Sequence, residues 1–184
     1  MSNQAKAKTY TDRVDWAVRL LRGIEKPIIV EVGVYKADYG YWLLKTMSNL
    51  TWYGVDPYMP YGKRSHHDPE SPRWGGLFKR IVAKMSIFKT RAILIRKPSL
   101  EAVDDFPDNV DLIWLDGNHN YEYVLAELPL YEKKLKKGGI LAGHDYAPKS
   151  GGPRKAVDEY LEHHDRKIIH ESFDPAGVFW WRVE

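Results

Sequence analysis

Short apolar runs alternate with stretches of helical periodicity along nearly the whole chain. Val14, Ala17, Val18 and Leu21 fall on one stripe, with Thr11 as a cap and Gly23 as a stop, which predicts a first helix. PIIVEVGV, bounded by Pro27 and Gly33, reads as a buried strand. The alternation continues with a helix in DYGYWLLKTMSN, a strand in TWYGVD, a helix in LFKRIVAKMSIF and a strand in AILIRK. A short helix in SLEAVDDF, a strand in VDLIWLDG and a long helix in YEYVLAELPLYEKKLKK follow. GGILAGHD is a fifth strand, and GPRKAVDEYLEHH a helix with Pro153 in its first turn. RKIIHESF and GVFWWRV close the chain as two strands joined by the turn DPAG.

Five strands separated by helices call for crossover connections, and so for a parallel sheet covered on both faces. The last two strands have no helix between them and should pair as an antiparallel hairpin at one edge. The expected fold class is therefore α/β and Rossmann-like: a seven-stranded, mostly parallel sheet with an antiparallel last strand and helices on both faces. A dehydrogenase-type domain would place a helix before a sixth parallel strand instead. One domain is expected over 1–184, with a helical segment at 1–25. The polar and aromatic stretch at 57–76 is long for an unstructured connection, which predicts a lid.

Composition narrows the classes of function. The net charge of +3 is too small to argue for nucleic acid or a membrane as partner. The run KKLKK at 133–137 reads as a solvated helix C-terminus. There is no cysteine, which excludes disulfides, thiolate catalysis and Cys-zinc sites. No apolar stretch reaches the ~18–20 residues of a membrane span. The polar start lacks the apolar core of a signal peptide, so a cytoplasmic protein is expected. Seven Trp and twelve Tyr are more rings than a core of this size hides, and a ligand cleft is one place for them. The expected partner is a small molecule, and a homo-oligomer is compatible with this reading.

In such a sheet, ligands bind beyond the C-terminal ends of the strands. After the first strand comes Glu31-Val32-Gly33-Val34-Tyr35-Lys36-Ala37, where Gly33 lets the backbone pass close to a ligand. The absence of G-x-G-x-x-G argues against a pyrophosphate on the next helix, and so against a nicotinamide-dependent oxidoreductase. Asp56 ends the second strand and can accept ribose hydroxyls, or simply form a turn before Pro57. Ser99, after the third strand, can meet an adenine edge or cap a short helix. The fourth strand ends in Asp116-Gly117-Asn118-His119 and the fifth in His144-Asp145. If these strands are neighbours, two carboxylates and imidazole converge. That set suits a divalent ion, or a general base with its orienting partner.

Together, EVGVYKADYG, YGVDPY, DLIWLDGNHNYEYVLAEL, LKKGGILAGHDY and GGPRKAVDEYL resemble the class I S-adenosylmethionine-dependent methyltransferases, in particular the family that includes macrocin-type sugar O-methyltransferases. The similarity runs from about residue 28 to 162; D-G-x-H and G-G-I-x-x-x-H-D are its most specific pieces. The resemblance implies O-methylation of a hydroxyl on a small molecule or sugar. It implies that Glu31, Gly33 and the backbone of Val34, Tyr35 and Lys36 hold the methionine part of S-adenosylmethionine, that Asp56 holds the ribose, and that Ser99 lies near the adenine. Asp116, which also borders the cofactor, would form with His144 and Asp145 a site for Mg²⁺ or another divalent cation. His119 would be the base, with Asp116 and His144 beside it in catalysis. Two positions depart from the family pattern. Ala37 stands at a usual glycine, and His144 where some members carry a carboxylate, which suits magnesium better than imidazole does. The alternative to an enzyme is an inactive nucleoside-binding protein on the same scaffold.

Overall fold

The computed structural model describes residues 3–59, 73–149, 151–171 and 173–184. Its strands are β1 (Ile28–Val32), β2 (Thr51–Val55), β3 (Ala92–Ile95), β4 (Val110–Leu115), β5 (Leu135–His144), β6 (Ile169–Glu171) and β7 (Val178–Arg182). Its helices are α1 (Asn3–Leu20), α2 (Asp38–Thr46), α3 (Arg73–Met85), α4 (Tyr121–Glu132) and α5 (Gly151–Glu162). The strands form one sheet in the order β3-β2-β1-β4-β5-β7-β6. β1 to β5 run parallel, and β7 lies antiparallel between β5 and the three-residue edge strand β6. The strand order reverses between β1 and β4, which puts a crevice at their C-terminal ends.

Successive strand residues face opposite sides of a sheet, and here both sides are buried. Ile29, Leu112, Trp114, Ile140, Ala142 and Trp180 pack with Trp16 of α1 and Leu43 of α2. Their neighbours Val30, Ile113, Leu115, Leu141, Phe179 and Trp181 pack with Leu128 of α4 and Val157 of α5. Trp16 meets Trp114 and Trp180 edge-on, with centroids 5.7 and 6.0 Å away, and so anchors α1 across the β1–β4–β5–β7 region.

Several expected boundaries move. The first helix begins at Asn3, not at a Thr11 cap, because Ala and Lys upstream extend it readily. The expected short helix after β3 is a pair of 3-10 turns, Ser99–Glu101 and Val103–Asp105. The long helix stops at Glu132, and the KKLKK run leaves it to start β5. Lys134 and Lys136 there pair with Asp108 and Asp111, so the run is partly drawn inward rather than solvated at a helix end. Residues 73–76 of the expected lid are the first turn of α3, and 60–72 lie outside the described residues. Among the described residues, no helix is long and apolar enough to cross a membrane.

Candidate active site

Beyond β1 the chain turns at Gly33, with φ of +90°. A Cβ there would stand 2.1 Å from the carbonyl oxygen of Asp116, so only glycine lets the ends of β1 and β4 come this close. Tyr35 and Ala37 follow in left-handed conformations, with φ of 47° and 54°. Such a conformation costs a non-glycine residue about 1–2 kcal/mol, and strain of this kind gathers at ligand loops. The side chain of Asp56 holds part of it in place. Its Oδ2 accepts from the Tyr35 amide at 2.9 Å and its Oδ1 from the Tyr58 amide at 2.7 Å. Tyr58 is left-handed as well, with φ of 46°. Burial raises the Asp56 pKa, and these backbone donors work against the rise.

These turns enclose a cavity of about 330 Å³ at the point of strand-order reversal. Glu31, Gly33, Val34, Tyr35, Lys36, Asp56, Asp116 and His119, all expected from sequence, line it. Glu31 lies at the base, 4% exposed, accepting from the indole N–H of Trp52 at 2.9 Å. Burial pushes its pKa up to about 8; the Trp52 bond opposes this and the Asp116 charge adds to it.

Arg13 and Tyr39, which the sequence does not single out, also line the cavity, as do Met59 and Trp74 from the stretch expected to form a lid. Tyr39 buries its hydroxyl with no hydrogen-bond partner among the described residues. That orphaned group, the Asp56 carboxylate and the size of the cavity fit a polar nucleoside-containing ligand such as S-adenosylmethionine.

Ser99 is not in the cavity wall. It is 4% exposed, and its hydroxyl donates to Glu127 of α4. It makes no side-chain cap either. Glu127 is itself 1% exposed, and a carboxylate so deeply buried needs a donor; the serine supplies it. The expected adenine contact therefore has no basis in the position of this side chain.

Parallel pairing of β4 with β5 brings the remaining candidates together. One ligand atom each from Asp116, His144 and Asp145 lie within 4.8 Å of one another. His144 Nδ1 is 3.4 Å from Asp116 Oδ1 and 3.3 Å from Asp145 Oδ2. His119, 55% exposed, reaches Asp145 Oδ2 at 3.1 Å and Asp116 Oδ1 at 3.8 Å. Two carboxylate oxygens and an imidazole nitrogen fit a borderline ion such as Fe²⁺ or Zn²⁺, and among harder ions the more imidazole-tolerant Mn²⁺, better than Mg²⁺. Burial disfavours charge on both Asp116 and His144, but hydrogen bonds prevail, from His119 and then His144 on the one and from carboxylates on the other. Asp116 is held below the usual carboxylate range, and three carboxylates (Asp116, Asp145, Asp174) raise His144 to about 11. His119 is raised too, chiefly by Asp116.

Two more groups complete the cluster, neither of them singled out in the sequence. Asp174, from the turn between β6 and β7, lies 3.2 Å from His144 Nε2. Arg13 donates to Asp174 from Nε at 2.8 Å and meets Asp116 Oδ2 at 3.4 Å.

A cavity at the switch point, an antiparallel strand inserted beside β5 and an acid–imidazole cluster at the cavity mouth define a class I methyltransferase-type protein. The comparisons agree. A family model described as a methyltransferase domain matches residues 30–146, well over half of the chain, and the chain belongs to that family. "Uncharacterized protein R132" of Acanthamoeba polyphaga mimivirus is 23% identical over 122 residues, covering 64% of this chain and 50% of that protein. The chain thus spans about half the length of the curated relative it matches. Among solved structures, cofactor-bound Rv0187 from MTB superposes with a TM-score of 0.68 at 12% identity, covering 98% of this chain and 88% of that one. CalS11, a TDP-rhamnose 3'-O-methyltransferase of calicheamicin biosynthesis, gives 0.65 at 20% identity, covering 94% and 79%. At these identities the structures speak for the fold.

Proposed function

We propose that the chain is an S-adenosylmethionine-dependent O-methyltransferase acting on a hydroxyl of a small molecule or sugar. The observation that carries this reading is the placement of His119. It stands in the wall of the cavity that Gly33 and Asp56 build, and it is also part of the carboxylate–imidazole cluster. Glu31, Gly33 and the 34–36 backbone, which line the cavity, would hold the methionine part of the ligand, and Asp56 would hold its ribose. Bound there, S-adenosylmethionine supplies a methyl group on a sulfonium. The protein's own task is then to align a nucleophile and take its proton.

His119 is the group suited to take that proton, being exposed enough to meet an acceptor. Its raised pKa means that the base form gains population as pH rises above the ordinary histidine range. Asp116, His144 and Asp145 would hold a divalent ion, whose Lewis acidity would lower the pKa of the acceptor hydroxyl. A pure binding protein on this scaffold has no use for an exposed base beside the cavity.

Methyl-labelled S-adenosylmethionine incubated with a panel of sugars, sugar nucleotides and phenols tests the reading. Label is expected on oxygen, chelator should suppress it, and Mn²⁺ should restore it. His119→Ala should lower kcat by about 10²–10⁴-fold with cofactor affinity nearly intact. Full activity of that variant would remove its role as base.

A further inference from the structure

Arg13 and Asp174 both lie outside the residues that the family model matches, one in the first helix and one in the last turn. We propose that they form a positioning pair that aims Asp116 and His144 at the candidate metal site; the proposal rests on the metal reading above. The atoms divide in a telling way. Asp116 gives Oδ2 to Arg13 Nη1, at 3.4 Å, and turns Oδ1 toward His144 and His119. In His144, an Nε2–H donated to Asp174 Oδ2 at 3.2 Å leaves Nδ1 as the lone-pair atom facing Asp116 and Asp145, and Arg13, a donor only, acts on the imidazole through Asp174, whose Oδ2 it holds.

The pair is itself firmly held. Asp174 is 4% exposed, and its Oδ1 accepts from the Ala176 amide at 3.0 Å while Oδ2 meets Arg13 at 2.6–2.8 Å. The Arg13 guanidinium lies over the Trp114 ring at 5.6 Å, and the His144 ring stacks on the same indole at 6.4 Å. A planar fork with a fixed aromatic shelf beneath it can set the direction of two ligands at once, which an ammonium cannot. Carboxylate partners behind a ligating histidine commonly change metal affinity by about 10–100-fold.

The test uses substitutions whose electrostatic and positioning effects have opposite signs. Arg13→Gln removes a positive charge beside the site, so charge alone predicts tighter Mn²⁺ binding, whereas loss of positioning predicts weaker binding. Arg13→Lys keeps the charge, loses the fork, and should also bind Mn²⁺ about 10-fold or more weakly. Mn²⁺ titration of the full chain by electron paramagnetic resonance reads both variants. Retained affinity for S-adenosylhomocysteine shows that the fold is intact. Mn²⁺ binding as tight as or tighter than wild type in both variants overturns the proposal.

If the wild-type chain binds no Mn²⁺, the metal reading fails on its own. The pair is then judged by the imidazole ¹⁵N signals of His144 in wild type and Asp174→Asn. Shifted Nδ1 and Nε2 signals support positioning, and unchanged ones overturn it.

Discussion

Asp56 is where the local structure makes the largest claim about a single side chain. Its two oxygens each accept one backbone N–H, from Tyr35 and Tyr58, and both of those tyrosines are left-handed. Removing the carboxylate in Asp56→Ala forfeits two charge-assisted bonds worth about 1.5–3 kcal/mol each. Relaxation of the two tyrosines returns about 1–2 kcal/mol each. The net loss centres on about 1.5 kcal/mol, or a fall in Tm of about 3–6 °C for a domain of this size. The same substitution loosens both flanks of the cavity. Affinity for S-adenosylhomocysteine should therefore fall by a further 1–3 kcal/mol, about 5- to 150-fold. Asp56→Asn keeps one acceptor oxygen and should land between wild type and alanine on both scales. Scanning calorimetry and isothermal titration read the two effects separately. A variant series with wild-type Tm and wild-type affinity would refute the clamp. A lower Tm with unchanged affinity would reduce Asp56 to a structural residue.

Glu31 should make stability depend on pH in an unusual direction. Its folded pKa, about 8, lies above the ordinary value of 4.5, so the folded state keeps a proton that the unfolded state has lost. Its contribution is therefore full below pH 4.5 and is lost as pH rises to about 8. Glu31→Gln, which can still accept from Trp52, should gain stability relative to wild type between pH 5 and 8 in urea titrations; a constant difference would argue against a buried, protonated Glu31. Gly33→Ala should fail to fold normally or lose cofactor binding altogether, because its Cβ would meet backbone at 2.1 Å. Circular dichroism and calorimetry of that variant matching wild type would show that β1 and β4 do not close at this point.

The architecture was readable because alternation of apolar strands with helical stripes fixes the βα order, and the final pair without a helix fixes the edge. The residues at strand ends were readable for the same reason, since the sheet's polarity sends them all to one edge. Arg13 and Asp174 were not. Arg13 looks like an ordinary polar residue of an amphipathic helix, and Asp174 like the first residue of a tight turn. Their meeting, 161 residues apart, is decided by how α1 and the β6–β7 turn pack over the sheet. Ser99 misled because a hydroxyl after a strand carries no mark of which way it faces. Here the need of buried Glu127 for a donor turned it inward. The lysines at 133–137 suit a helix end by sequence alone, but Asp108 and Asp111 give two of their charges partners beside β5.

The central claim, that the cavity at the strand-order reversal takes S-adenosylmethionine, is tested most directly by thermal shift with S-adenosylhomocysteine, NAD and NADP side by side. S-adenosylhomocysteine at 100 times its Kd should stabilise the chain by about 2.7 kcal/mol, and neither nicotinamide cofactor should shift it. A shift with NAD or NADP and none with S-adenosylhomocysteine would contradict the account.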